Sequence, residues 1–274
     1  MILLVASKRD LAGINISKQV LQLYPFTQTT QIFQENPVYT ATINGRQVTH
    51  IILNEEAVNA QYLPEYFPNI NLVVFISRHS SQSGTPTLSV HTPGNFGVAE
   101  LGGLSGELSV SPATAMQNAL QTLNRLKEQM HLDYQVSYEC THHGPSLNVP
   151  TMFVELGSSS IQWVDQQAAA VVAQAALEAI ANFGNSKQTS ALGIGGTHYN
   201  QKFTNMGLKN EATFGHMIPK YAIQNINLQI IQQCVIRTQE KVNSIILDWK
   251  GIKSENKPTL LKVLQETDLP IQKV

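Results

Sequence analysis

Charge is scarce in this chain. Only 14 % of its 274 residues are Asp, Glu, Lys or Arg, and they sum to a net charge of −1. So sparse a balance excludes a charge-patterned coiled coil, and it excludes a protein that grips nucleic acid over its whole surface. Cysteine is nearly absent: Cys140 and Cys234 stand far apart, in no metal or redox spacing, which excludes a disulfide framework. No run approaches the ~20 consecutive apolar residues of a membrane span. The charges of Met1–Arg9 follow the apolar run, the reverse of a signal peptide. A soluble, cytoplasmic protein with no membrane partner is expected, as a monomer or a small homo-oligomer. What is abundant is apolar bulk, 42 % of the residues, enough at this length to build a core that needs no covalent or metal staple.

The charges that do occur are polarised along the chain. Residues 1–90 cancel, with five basic and five acidic side chains. Residues 91–184 carry two basic and eight acidic side chains, and residues 185–274 eleven basic and six acidic. A basic final third suits a phosphate-bearing substrate, and an acidic middle suits another task.

Short apolar runs alternate with helical patterns. Ile2–Ala6, Val48–Leu53, Leu72–Ser77, Thr87–His91, Tyr134–Cys140, Thr151–Gly157, Ser190–Ile194 and Ser244–Trp249 read as strands. Helices are expected at Ala12–Tyr24, from Ser111-Pro112 with Ser as N-cap, at Trp163–Phe183 ending on Gly184, at Ile226–Thr238 and at Pro258–Glu266. The fold class is therefore α/β, a mixed and mostly parallel sheet in a three-layer α/β/α arrangement. One domain is expected over 1–274, with the strand–helix tail 240–274 packing as an extension.

The chemistry concentrates in histidine. His50 and His131 fall in ordinary element positions, but His79, His91, His142, His143, His198 and His216 stand beside Gly, Pro, Ser or Thr at expected strand ends. Ligands of open α/β sheets bind beyond those ends, so the six are expected to share one cleft. Arg78-His79-Ser80 opens a hydroxyl-rich loop suited to a ribose or a phosphate. His142 and His143 are neighbours after a strand, and on extended backbone they point to opposite sides. Glu155 lies inside an apolar strand, where a carboxylate needs a cation, an imidazole or a metal beside it, as a site acid or as a structural ion pair. Gly193-Ile194-Gly195-Gly196-Thr197-His198 is a strand running into a glycine turn that is neither a Walker loop nor a dinucleotide fingerprint. Lys202 and Lys220 belong to a locally basic stretch that suits one nucleic-acid end.

Four ordered segments carry a resemblance: SRHSSQSGTPTLSVHTPGN, YECTHHGPSLNVPTMFVELGSS, ALGIGGTHYNQKFT and EATFGHMIPKYA. Together they resemble the D-aminoacyl-tRNA deacylase family of the archaeal and plant type. Asn200-Gln201 and Cys140 depart from its usual pattern. The resemblance implies a fold similar to peptidyl-tRNA hydrolases and nucleoside phosphorylases. It also implies hydrolysis of the ester joining a D-amino acid to the terminal ribose of tRNA, and zinc as cofactor.

On side-chain chemistry, His142, His143, Glu155 and His198 are expected to form the catalytic centre, with His142, His143 and His198 as metal ligands. His79, Ser80, His91 and His216 are expected to bind substrate. The backbone amides of Gly195 and Gly196 would face an oxyanion or the terminal phosphate, and Lys202 and Lys220 would hold the CCA end. Two other readings stand beside this one: a peptidyl-tRNA hydrolase-like or other metal-dependent esterase or amidase, and a tRNA- or nucleotide-binding module without catalysis.

Overall fold

The computed structural model describes residues 1–185 and 187–274. Among the described residues twelve strands form two sheets. The first contains β1 (Ile2–Ser7), β2 (Thr27–Phe33), β3 (Asn36–Ile43), β4 (Arg46–Leu53), β5 (Leu72–Arg78), β6 (Thr87–His91), β7 (Gln135–Tyr138) and β8 (Thr151–Gly157), in the order β2-β3-β4-β1-β5-β8-β6-β7. Its centre, β4-β1-β5-β8, is parallel, and β6 runs antiparallel to β8 and parallel to β7. The second sheet, β10-β9-β11-β12, is parallel throughout and contains β9 (Ser190–Gly195), β10 (Phe214–Ile218), β11 (Val242–Asp248) and β12 (Ile271–Lys273). The expected α/β class with a mixed, mostly parallel sheet is what the chain adopts, divided over two sheets.

Alternation along the central strands decides which side chains meet which layer. Leu4, Ala6, Val74, Ile76, Met152 and Val154 share the largest core with α1 (Leu11–Leu23), α3 (Ala113–Gln129) and α5 (Gln166–Asn182). Leu3, Val5, Val73, Phe75 and Phe153 point the other way, against residues 57–70, which include α2 (Leu63–Tyr66), and against Leu147. A short α4 (Ser160–Trp163) precedes α5, and α6 (Gln201–Leu208) follows β9. α7 (Leu228–Ile236) and α8 (Lys257–Leu264) pack with Leu192, Ile194, Ile245 and Leu247 in a separate core. Among the described residues no helix is long and apolar enough to cross a membrane.

Three local differences have physical reasons. The β2–β3 hairpin escapes the sequence pattern because it is a polar edge, with most of β2 exposed. Its position is set by tight turns, Gln34-Glu35 and Asn44-Gly45, with positive φ at both central residues. The α3 N-terminus is not capped by Ser111. Pro112 is the N-cap, and the Glu240 carboxylate accepts the Ala113 and Thr114 N–H groups at 2.9 Å each, where the helix dipole favours an anion. The first strand of the tail region, β11, lies between β9 and β12 in the second sheet.

His50 shows how the core treats an imidazole away from the site. It is fully buried, with Nδ1 at 3.0 Å from the Leu4 carbonyl, to which it donates, and Nε2 at 2.7 Å from the Ser17 hydroxyl. Burial lowers its pKa to about 4. The unfolded chain takes a proton near pH 6.5 that the folded chain refuses until about pH 4, so stability from this group is complete above pH 6.5 and is lost as pH falls through that window. The slope is about 1.4 kcal/mol per pH unit. Denaturant midpoints of wild type and His50→Gln, followed from pH 7.5 to 4, are expected to converge as pH falls. Parallel curves would show that His50 does not control the acid limb.

Candidate active site

A stretch of backbone after β7 crosses the seam between the two sheets. After β7, the Glu139 N–H still donates to Val90 of the first sheet, the Cys140 N–H donates to His198, and the Thr141 N–H donates to Met217 of β10. At this crossing a cleft of about 550 Å³ opens, lined by Asp10, Glu56, Ser77–Ser80, Glu139, His142, His143, Glu155, His198 and Tyr199, with Ala57, Val58, Leu101 and Phe153 as its apolar wall. Its floor is the sheet face itself, because Phe153 and Glu155 alternate onto one side of β8. Its walls are chain segments beyond the ends of β5, β7 and β9.

The buried Glu139 carboxylate organises the polar side. Oε2 accepts from His198 Nε2 at 2.9 Å and lies 3.7 Å from His142 Nε2. Oε1 lies 3.2 Å from His79 Nδ1 yet has no aligned hydrogen bond. Burial pulls the Glu139 pKa up, but the interactions with His198 and His79 outweigh it and hold the carboxyl well below the usual carboxylate range. The two imidazoles are in turn held from outside: the Tyr199 hydroxyl is 3.0 Å from His79 Nε2, and the Tyr221 hydroxyl is 3.1 Å from His198 Nδ1. The result is a chain Tyr199–His79–Glu139–His198–Tyr221. Burial opposes charge on His79, but Glu139 and Glu155 raise its pKa above the ordinary value.

Glu155 is the opposite case. Burial, then the neighbouring Glu139 charge, drives its carboxyl well above the usual range, against the pull of His79 and of the Ser77 hydroxyl, which donates to Oε1 at 2.8 Å. Oε2 lies 3.7 Å from His91 Nε2 and 3.8 Å from His79 Nδ1. One carboxyl held toward its ionised form and one pushed toward its neutral form in the same cleft is the pattern of an acid–base site.

Three imidazoles converge behind them. His91 stacks on Phe153, and its ring centroid is 4.3 Å from that of His142 and 4.9 Å from that of His143. His142 and His143 do not point apart as extended neighbours would. His143 takes a left-handed φ of 39°, which turns its ring to 4.2 Å from that of His142 on the same side. Nδ1 of His142 meets the Cys140 carbonyl at 2.9 Å, and Nδ1 of His143 meets the Gly144 carbonyl at 2.7 Å. Carbonyls only accept, so each Nδ1 carries the proton and each Nε2 keeps its lone pair. Both nitrogens of fully buried His91 lack a hydrogen bond. Burial lowers His91 to about 4 and His143 to about 3, and lowers His142 well below its ordinary value, so all three are neutral at pH 7.

The expected cluster of six histidines is thus a cluster of five. His216 stands apart as a buried core residue, its nitrogens satisfied by Thr141 and by the Arg237 carbonyl. His198 is near enough to Glu139 and His142 to share a metal, but Glu139 already holds its Nε2. His91 replaces it in the set with free lone pairs. Gly195 and Gly196 do not line the cleft. A Cβ on Gly195 would meet Ile252 at 2.7 Å, and one on Gly196 would meet Asn200 at 2.2 Å and Asp248 at 2.6 Å, so close packing requires both glycines. Lys202 is tied to Asp248 at 2.7 Å and to the Val274 carbonyl at 3.0 Å, whereas Lys220 is exposed. Ser80 lies on the cleft wall beside His79. Glu139, Tyr199 and Tyr221 escaped the sequence reading, although the argument that singles out Glu155, a carboxylate within an apolar strand, applies equally to Glu139 in VSYEC.

A family model for D-aminoacyl-tRNA deacylase matches residues 66–272. The chain is 36 % identical to the D-aminoacyl-tRNA deacylase of Pyrococcus abyssi and 35 % identical to that of Thermococcus kodakarensis, in each case over 97 % of both chains. It belongs to the D-aminoacyl-tRNA deacylase family. A crystal structure described only as a conserved protein of unknown function superposes with a TM-score of 0.88 at 29 % identity, covering all of this chain and 95 % of that one. Family membership gives the cleft its context, and the two carboxyls can be tested directly. Glu139→Gln puts an amide where two imidazoles need an acceptor and is expected to lower kcat by about 10²-fold or more. Tyr221→Phe, which removes only the outer hydrogen bond, is expected to cost about 10-fold or less. Steady-state kinetics on D-tyrosyl-tRNA reads both, and full activity in Glu139→Gln would place the chemistry outside this cleft.

Proposed function

We propose that this chain hydrolyses the ester between a D-amino acid and the terminal ribose of tRNA, in the cytoplasm, with the reaction centred on the Glu139–His79 pair and Glu155. The observation that carries this reading is a pair of buried carboxyls in one cleft, Glu139 at 3.2 Å and Glu155 at 3.8 Å from His79 Nδ1, whose surroundings push their pKa values in opposite directions. An ester is already activated, so the site needs an oriented water, a proton acceptor and a donor for the leaving oxygen. His79, backed by ionised Glu139, accepts the proton of the attacking water through the Tyr199 hydroxyl at Nε2. Glu139 stabilises the imidazolium that results, and neutral Glu155 holds the proton that the departing ribose oxygen takes.

The donor set of His91, His142 and His143 fits zinc. It comprises three neutral imidazoles whose candidate ligand nitrogens lie within 4.8 Å of one another, two of them oriented by backbone carbonyls. Bound there, zinc supplies a polarised water with a pKa near 7 and charge stabilisation for the carbonyl oxygen. The apolar wall of Ala57, Val58, Leu101 and Phe153 suits the side chain of the amino acid, and Ser80 and His79 suit the ribose. Neither a binding module nor a phosphate site needs a cleft of this kind. Phosphate selects Arg and Lys, and the only such side chain on this wall, Arg78, is paired with Glu56 at 3.0 Å.

Deacylation of D- against L-tyrosyl-tRNA, with and without chelator, tests the reading. The expected result is turnover of the D-ester, at least about 10²-fold slower turnover of the L-ester, loss with chelator and recovery with added zinc. Cleavage of an N-acetylated aminoacyl-tRNA in preference to the free one would favour the peptidyl-tRNA hydrolase reading instead. Undiminished activity in chelator would remove the metal.

A further inference from the structure

The cleft explains the ester and leaves the rest of the substrate unheld. Its lining carries four carboxyls, Asp10, Glu56, Glu139 and Glu155, against one Arg and no Lys. A polyanion does not thread such a cavity. The basic side chains lie next to it, at the carboxyl ends of the strands of the second sheet. Asp248, the last residue of β11, pairs with Gly195 of β9, and the turn that follows, Trp249–Gly251, presses on Gly196: a Cβ on Gly251 would lie 2.7 Å from the Gly196 backbone. His198 is two residues on. From the other side the Lys220 N–H donates to the Gly196 carbonyl, and Tyr221 reaches His198.

On this turn the half-buried Trp249 ring has the ammonium of Lys257 at 4.3 Å and that of Lys273 at 4.0 Å from its centroid, so the two cations lie within about 8 Å of each other. Lys220 and Lys250 are exposed nearby and form no ion pair among the described residues. Two local carboxylates offset part of the charge: Asp248 is committed to Lys202, and Glu255 lies 3.8 Å from Lys253. We propose that the Trp249 turn, with Lys220, Lys250, Lys257 and Lys273, is the docking surface for the phosphate backbone of the tRNA acceptor end, which it holds while the acylated ribose enters the cleft. Charge complementarity to a polyanion, an aromatic ring contacted by two cations and direct contact with the Gly196–His198 turn support this occupant. The inference rests on the tRNA deacylase reading.

Lys257→Gln/Lys273→Gln and, separately, Trp249→Ala are compared with wild type on D-tyrosyl-tRNA and on a minimal ester, D-tyrosyl-adenosine, across a series of salt concentrations. The expected result is a KM for the tRNA substrate raised about 5- to 20-fold with kcat retained, and a shallower dependence of log KM on log salt by about one to two phosphate contacts. Kinetics on the minimal ester should stay unchanged. An unaltered tRNA KM and salt slope in the double variant overturns the proposal. An equal loss on the minimal ester, with an unchanged melting temperature, does so too, because it makes the turn a part of the cleft. If wild type fails to cleave D-tyrosyl-tRNA at all, the deacylase reading fails, and binding of uncharged tRNA by the same variants decides the surface by itself.

Discussion

A buried carboxylate that stays ionised is the constraint on which the site depends. Glu139 is 1 % exposed, and a charge so enclosed costs several kcal/mol unless it is paired and hydrogen-bonded. That demand fixes its surroundings. His198 must present Nε2–H to Oε2, and His79 must bring Nδ1 within reach of Oε1. The two tyrosines then settle the outward nitrogens. The backbone around Glu139 is equally committed, since residues 139–141 are hydrogen-bonded to β6, to the His198 turn and to β10 in succession. Substrate chemistry and sheet-to-sheet assembly therefore share one short segment, and a disturbance of either is felt by both.

Burial and Glu139 together set the state of the neighbouring groups. Burial, and then the negative charge of Glu139 nearby, pushes the Glu155 carboxyl toward its neutral form. Burial, then repulsion among the imidazoles, keeps His91, His142 and His143 neutral against the pull of Glu139. The cleft thus divides into a carboxylate held toward its ionised form beside His79, a carboxyl pushed toward its neutral form and a group of neutral nitrogen donors. This division follows from the order in which groups lie behind one another, with no residue of unusual intrinsic acidity.

The sequence conveyed the central elements well, and for an identifiable reason. Ile2–Ser7, Leu72–Arg78, Thr87–His91 and Thr151–Gly157 are fully or nearly fully buried strands, so they appear as short apolar runs with sharp polar ends. β2 and β3 sit at an edge, where the pattern is set by a neighbour and by two turns. The cap of α3 comes from Glu240, about 130 positions away in the chain, and no local signal carries such a partner. The histidine grouping was legible because Gly, Pro, Ser and Thr mark strand ends. The orientation of His142 against His143 was not, because it hangs on one left-handed residue, His143, whose carbonyl accepts from the Gly94 N–H and whose Nδ1 donates to the Gly144 carbonyl. Composition correctly located positive charge in the last third, but pairing chose among the lysines: Lys202 has Asp248, and Lys257 and Lys273 have Trp249.

Separating the two kinds of charge solves a problem that a tRNA ester poses. The reacting bond lies a few ångströms from a phosphodiester chain, so a site basic enough to bind that chain would also suppress ionisation changes in its own acid–base groups. Here the lysines stand on the second sheet and the carboxyls on the first, with the glycine turn at Gly195-Gly196 between them. Because Asn200, Asp248 and Ile252 pack against those glycines without side-chain clearance, the turn is thin. His198 emerges directly from it, one edge bonded to Glu139 and the other to a tyrosine on the basic side. A fold with a single continuous sheet would place both charge sets along one row of strand ends. Splitting the strands into two sheets puts the carboxyls by one sheet and the lysines by the other, and the seam at Glu139–Thr141, beside the His198 turn, adjoins both.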